Sequence, residues 1–330
     1  MATTMRDVAA LAGVSIKTVS RVVNAEPHTR PEVVAPVRAA IAELGWTPNT
    51  SARTLRTGRT GTIAIAVEGL RRPYLAALVE VVVDEVARRG LDATVEPTRG
   101  DPRHLRSVIT AIGQMYDGVV VIGELPPRVL EEGPEPPPVV VLQGAGSGVS
   151  LDQVNEDAAG GSALLARHLV VMGRSRPVIL SASAGNEGVL RDALAAVGIA
   201  AGQVPAVPCG APRDRASGVA AAREALMRHP EADAYVCAND EVALGALVTL
   251  AAEGVECPEQ VAVLGSGNLV DGRFSAPSLT TVDPHPTAMA RAALDLLADR
   301  IDGRWNGGPR PVTIPVDLIR RESTMGRPSS

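Results

Sequence analysis

Aromatic residues are almost absent from this sequence: one Phe, three Tyr and two Trp make up 2% of 330 residues. A ligand pocket built on stacked rings is therefore poorly supplied. Lysine is scarcer still, with Lys17 its single instance, and no phosphate loop of the Gly-Lys-Ser/Thr kind is present. Cys209, Cys237 and Cys257 are few, odd in number and unpaired in spacing. That excludes a disulfide framework and fits buried thiols in a reduced cytoplasm. No apolar run reaches the roughly eighteen residues of a membrane span, and the polar start carries no signal-peptide pattern. The expected location is the cytoplasm, with no membrane partner.

The charge that is present is unevenly placed. Formal net charge is −5, yet residues 1–60 carry eight cationic side chains against four carboxylates, leaving −9 for the remainder. A basic head on an acidic body points to a polyanionic partner for the head alone. Within that head, Val8, Ala9 and Ala12 recur at helical spacing, and Gly13 supplies a turn. Ser15 stands at an N-cap position, and Val19, Val22 and Val23 form the buried stripe of a second helix. Two short helices about a glycine turn are the helix-turn-helix pattern. Its outward residues are Ile16, Lys17, Thr18, Ser20, Arg21 and Asn24, a set suited to base edges and phosphates. A third helix is expected from about Pro31 to Leu44, stopped by Gly45. Pro36 falls inside it, predicting a less stable or kinked headpiece.

Together, Asp7 to Asn24 and the stretch from Pro48 to Leu55 resemble the bacterial transcription regulators of the lactose-repressor (LacI/GalR) family. The resemblance implies an all-α helix-turn-helix headpiece over residues 1–48 and a hinge helix and linker over 49–60. Residues 61–330 would then be an α/β periplasmic-binding-protein-like core of two doubly wound parallel-sheet lobes. Alternating strands and helices from Thr62 onward agree with that architecture. The first lobe is expected over about 61–154 and 285–311, the second over about 155–284 and 312–322, with a last strand around Val312 to Arg320 in the second lobe.

By the same resemblance the chain is a DNA-binding regulator, a repressor that seats a homodimer on a pseudo-palindromic double-stranded operator. Ile16, Lys17 and Arg21 would read bases; Ser15, Thr18, Ser20, Asn24 and His28 would hold the backbone. Asn49 can cap a short hinge helix, Ala52 would allow close approach, and Leu55 would wedge into the minor groove. A dimer is expected rather than a tetramer, because only a polar tail, Ser323 to Ser330, follows the last strand. A small-molecule effector is expected between the lobes. Asn239 lies in a stretch, Asn239 to Gly245, that matches the family at one cleft edge. Tyr74 matches an aromatic family position, and Gln143 ends a strand. Where the family often carries a carboxylate, this chain reads Gly267-Asn268. The usual arginine is either replaced by Asn186 or, with a gap, substituted by Arg191. These changes and the shortage of stacking rings count against an ordinary sugar; a different ligand, a weak one and none at all stay open.

Enzyme readings are excluded on several grounds. The run Gly144 to Gly148 opens no helix and lacks the third glycine of a dinucleotide fingerprint. His28, His104, His168, His229 and His285 are scattered without metal spacing, and no serine nucleophile elbow is present. No cofactor and no metal are expected. The competing reading is a cytoplasmic small-molecule-binding protein whose headpiece no longer functions, with Pro36 as the cause.

Overall fold

The computed structural model describes residues 3–23, 29–46, 58–126, 129, 137–144, 151–181 and 184–326. The chain divides into two compact units, Met1–Thr60 and Gly61–Ser330. Asn24, His28, Asn49, Ala52 and Leu55 lie outside the described residues, and with them the expected hinge helix.

The first unit contains α1 (Met5–Leu11), α2 (Ile16–Val23) and α3 (Pro31–Leu44). Thr4 and Asp7 form a reciprocal capping box that starts α1, the Thr4 N–H donating to Asp7 Oδ2 at 2.8 Å. Gly13 takes φ +65, which lets the chain reverse within one turn. The Ser15 hydroxyl then accepts from the Thr18 N–H at 3.1 Å and caps α2 as expected. Val8, Ala9, Val19, Val37, Ala40 and Trp46 close a small core, with Ala12, Val22 and Val23 packed on its edge.

Helix α3 runs unbroken through Pro36. At that depth the proline removes the N–H that would reach the Glu32 carbonyl, and its ring presses on the same group. Both residues are exposed, so water can take up the orphaned carbonyl. Arg30, the N-cap residue, offers no side-chain cap either. Pro36→Arg is therefore expected to raise the headpiece stability by up to about 3 kcal/mol. Thermal unfolding followed on headpiece amide signals checks it, and an unchanged midpoint would sink the expectation.

The second unit opens with β1 (Thr62–Val67), α4 (Pro73–Arg88), β2 (Asp92–Pro97), α5 (Pro102–Thr110), β3 (Gly118–Ile122), β4 (Val139–Leu142) and β5 (Asp152–Glu156). A second series follows: α6 (Ala158–Val171), β6 (Pro177–Ser181), α7 (Ala184–Ala196), β7 (Ala206–Pro208), α8 (Arg215–Arg228), β8 (Ala234–Cys237), α9 (Asp240–Ala252) and β9 (Ala262–Ser266). The chain ends through α10 (Asp271–Phe274), β10 (Thr280–Asp283), α11 (Pro286–Ile301), β11 (Pro311–Ile314), β12 (Asp317–Ile319) and α12 (Glu322–Met325).

These strands make two six-stranded sheets, ordered β11-β5-β4-β3-β1-β2 and β12-β10-β9-β8-β6-β7. Every pairing is parallel except β10 with β12. Alternation along β1 shows why its sequence is apolar throughout. Ile63, Ile65 and Val67 face α4 and α11, while Ala64 and Ala66 face Leu105, Val108 and Ile109 of α5. A strand covered on both faces has no solvent side to mark with polar residues.

Four expectations need correction. The helix expected from about Asn155 starts at Ala158, because Asp152 to Glu156 is a strand of the first sheet. The lobe limits shift accordingly: the first lobe extends through Glu156 and takes Pro311–Ile314 as well. The single last strand expected around Val312 to Arg320 is two strands in different sheets. Pro315 lies between them and has no N–H to continue a ladder. The tail from Ser323 is not simply a polar end either. Ser323 and Thr324 are buried, with Thr324 Oγ1 2.8 Å from His168 Nε2 and 2.7 Å from Thr280 Oγ1. Among the described residues no helix is long and apolar enough to cross a membrane, and no cluster of metal-ligating side chains is found.

Candidate nucleic-acid interface and ligand cleft

The two faces of α2 are chemically opposite. Val19 is fully buried, locking the helix onto α1 and α3, whereas Ser15, Ile16, Lys17 and Arg21 are exposed and Thr18 and Ser20 half-buried. Ile16 leaves 44% of its surface open, an apolar tip with no role in the core. The Ser15 and Thr18 hydroxyls lie 2.9 Å apart and fix the first turn. The result is a rigid rod carrying cations and small hydrogen-bonding groups on one side.

A cleft lies where the strand carboxyl ends of the two sheets converge. From the first sheet come Tyr74, second residue of α4, Gln143 after β4, and Glu156 ending β5. Gln143 Nε2 donates to Tyr74 Oη at 2.6 Å and to Glu156 Oε2 at 3.0 Å. From the second sheet come Asp240, Gly267, Asn268, Thr281 and Asp283. A Cβ built on Gly267 would sit 3.3 Å from the Tyr74 ring and 3.8 Å from Asp240 Oδ2, so the tyrosine lies directly against that glycine. Asn268 Nδ2 donates to Asp283 Oδ2 at 3.0 Å, and its Oδ1 accepts from Arg321 Nη2 at 2.7 Å. A depression of about 460 Å³ opens beside them, lined in part by Asp283, His285 and Arg291. Gln143, Asn268 and His285 all take left-handed φ, three of the four non-glycine residues to do so among those described. Strain gathered at one place is a mark of a functional cleft.

Burial shapes the protonation of this site. It drives the Tyr74 phenol far above its ordinary range, with the Glu156 charge adding to the effect. It also raises Asp240 to about 6, outweighing the bonds from Thr281 Oγ1 and the Leu269 N–H, each 2.6 Å. A carboxyl with a folded pKa above its unfolded 3.8 favours folding only while protonated. Its contribution is whole below about pH 4 and is lost as pH rises through 6. Asp240→Asn should therefore flatten the decline of core stability between pH 4 and 7 by up to about 3 kcal/mol. Urea unfolding of both proteins across that range reads it directly, and parallel profiles would refute it.

Comparison with known proteins then decides the family. A family model described as bacterial regulatory proteins, lacI family, matches residues 4–49, and one described as a periplasmic binding protein-like domain matches residues 166–324. The HTH-type transcriptional regulator CelR of Thermobifida fusca is 34% identical over 344 residues, covering 99% of this chain and 98% of CelR. The chain belongs to the lacI family of bacterial regulatory proteins. The HTH-type transcriptional repressor PurR of Pectobacterium atrosepticum is 28% identical, with 98% of each chain covered. Among solved structures, a CelR–cellobiose complex is matched at 30% identity with a TM-score of 0.69, covering 97% of this chain and 99% of that one. The lac repressor dimer bound to operator and an anti-inducer has the same fold, with a TM-score of 0.79 at 22% identity and coverage of 98% and 99%. As a lacI-family member the protein is a DNA-binding transcriptional regulator, not an enzyme.

Within this lacI-family frame the expected cleft residues divide. Tyr74, Gln143 and Asn268 come together in the cleft. Asn239 instead caps α9, its Oδ1 accepting from the Val242 N–H at 2.9 Å while Nδ2 donates to the Arg213 carbonyl at 3.2 Å. Arg191 is a correction: its guanidinium is engaged by the Ala201 carbonyl at 2.9 Å and by that of Val204, which pins the turn after α7. Glu156, Asp240, Thr281 and Asp283 were missed. Asp240 sits inside the quoted family stretch and could have been found there; Glu156 ends a polar strand that carries no such signal.

Proposed function

We propose that the protein represses transcription as a homodimer, seating α2 of each protomer in successive major grooves of a pseudo-palindromic operator. Ile16, Lys17 and Arg21 are assigned to base edges, with Lys17 or Arg21 suited to the guanine acceptors. Ser15, Thr18, Ser20, Asn24 and His28 are assigned to phosphates, and Asn49, Ala52 and Leu55 to the minor groove at the operator centre. A small hydroxylated effector enters the cleft, where Glu156 and Asp283 offer acceptors and Tyr74 an aromatic ring. CelR is seen with cellobiose; here, with glycine at 267, the gripping role falls to those two carboxylates. The effector acts through different affinities for two lobe arrangements. Such a regulator works in the cytoplasm, on the nucleoid.

The observation that carries this reading is α2, buried through Val19 and exposing Ile16, Lys17 and Arg21 on the other side. A helix held by a folded core through Pro36 also argues against a headpiece that has lost its function. Selection from random duplexes should enrich a palindrome, with binding that weakens steeply as salt rises. Lys17→Ala should then cost about 1–3 kcal/mol of operator affinity per contact while leaving the unfolding of the core unchanged. Failure to enrich any sequence, or a Lys17→Ala protein that binds as tightly as the parent, would overturn the reading.

A further inference from the structure

The chain contains 32 basic side chains of the Lys and Arg type, and all but Lys17 are arginine. A guanidinium is permanently charged and does not accept acyl groups under ordinary conditions, whereas a lysine amine does. Amine chemistry on side chains is thus confined to one position in the whole protein. That position is the second residue of α2, on the exposed face that the preceding reading assigns to base contacts. The Lys17 side chain is exposed, with no hydrogen-bond or ion-pair partner among the described residues. An arginine there would meet the same guanine acceptors and form a better planar fork. What lysine alone adds is reactivity.

We propose that Lys17 is an acylation site, modified by acyl phosphates or acyl thioesters, that turns the DNA-reading helix off. The amine lone pair attacks the acyl carbonyl carbon. The bond from that carbon to the phosphate oxygen, or to the thioester sulfur, breaks, and phosphate or thiolate leaves with the electron pair. The amine proton goes to solvent, and an amide remains. No oxidant or reductant is required. The product has lost its positive charge and keeps one N–H in place of three, so it can neither pair with a phosphate nor fork to a guanine. Each headpiece falls by one positive charge, and a dimer loses two. The inference rests on the operator-binding reading, since only there does the charge of Lys17 matter.

The test uses the full chain, acetyl phosphate as the acyl donor, and the duplex enriched by selection. Intact mass and peptide mapping should place a side-chain acetyl group on Lys17. Bound duplex should slow that reaction, because the amine is then covered. Acetylated protein should bind the duplex roughly ten- to a hundredfold more weakly per modified contact, with a shallower salt dependence. Lys17→Arg, whatever its own affinity, should bind equally well before and after exposure to acetyl phosphate. The proposal fails if Lys17 stays unmodified while a reference lysine peptide is acetylated, or if the acetylated protein keeps its full affinity. In either case tight binding by the untreated chain leaves the operator reading standing. An untreated chain that enriches no duplex removes that reading and the switch together.

Discussion

Asp152→Ala is expected to lower the stability of the core by about 3–5 kcal/mol. The Asp152 side chain is wholly buried at the start of β5 and accepts four hydrogen bonds. Oδ1 takes the Arg300 Nη2 and the Arg310 backbone N–H, both at 2.8 Å; Oδ2 takes Arg300 Nε at 3.0 Å and Arg310 Nη2 at 3.1 Å. Burial alone would raise this carboxyl's pKa, but the bonds from Arg300 and Arg310 prevail and hold it below the ordinary range. Its stabilisation is thus present above about pH 4 and lost as pH falls below that. Removing the carboxylate leaves the Arg300 guanidinium, itself only 4% exposed, with the Gly307 and Gly308 carbonyls and no counter-charge. It would also untie β5 from α11 and β11. Since β5 delivers Glu156 to the cleft at its other end, ligand affinity should fall along with stability. The core transition in urea measures the first effect, and a loss under about 1 kcal/mol would show that the network is not what holds the strand.

The same strand shows what could be read from the sequence and what could not. Runs such as Thr62–Val67 and Gly118–Ile122 announce buried parallel strands because both faces are apolar. Asp-Gln-Val-Asn-Glu announces nothing, because the side chains that justify a buried Asp152 lie 148 and 158 residues further along. Ser323 and Thr324 misled for a similar reason: their partners are His168, Thr280 and the Val263 carbonyl, all distant in sequence. Local signals did better in the headpiece. Capping, a glycine turn and a valine stripe specify α1 and α2 within twenty residues, and the outward residues follow from helical spacing alone. The cleft was half legible. Tyr74 and Asn268 came through the family resemblance, and Gln143 through its place at the end of a strand. Arg191 was claimed by nearby carbonyls, and Asp283 became recognisable only once β10 brought it beside Asn268.

Gly245→Ala is expected to be at least as damaging as many core truncations, although it adds a single methyl group. Helices α8 and α9 meet backbone to backbone. A Cβ on Gly245 would lie 2.2 Å from the Arg215 carbonyl oxygen and 2.8 Å from the Val219 nitrogen, and one on Gly218 would lie 2.4 Å from the Val242 oxygen. No flexible side chain stands in the way to be moved aside, so the helices themselves must separate. Val242, Ala243 and Ala246, all fully buried, would then lose their packing. A cost of about 3 kcal/mol or more is expected, at the upper end for overpacking. The cleft should suffer too, because α9 begins at Asp240, whose bonds to Thr281 and the Leu269 N–H require the helix to stay where it is. Gly188, in the helix α7, provides the contrast, since a Cβ there meets nothing within 4 Å. Gly188→Ala should stabilise the same protein by up to about 1 kcal/mol, through helix propensity alone. Opposite signs for one chemical change, read from paired urea curves, would separate close approach from propensity. Two mild effects of like sign would mean that α8 and α9 are not in backbone contact.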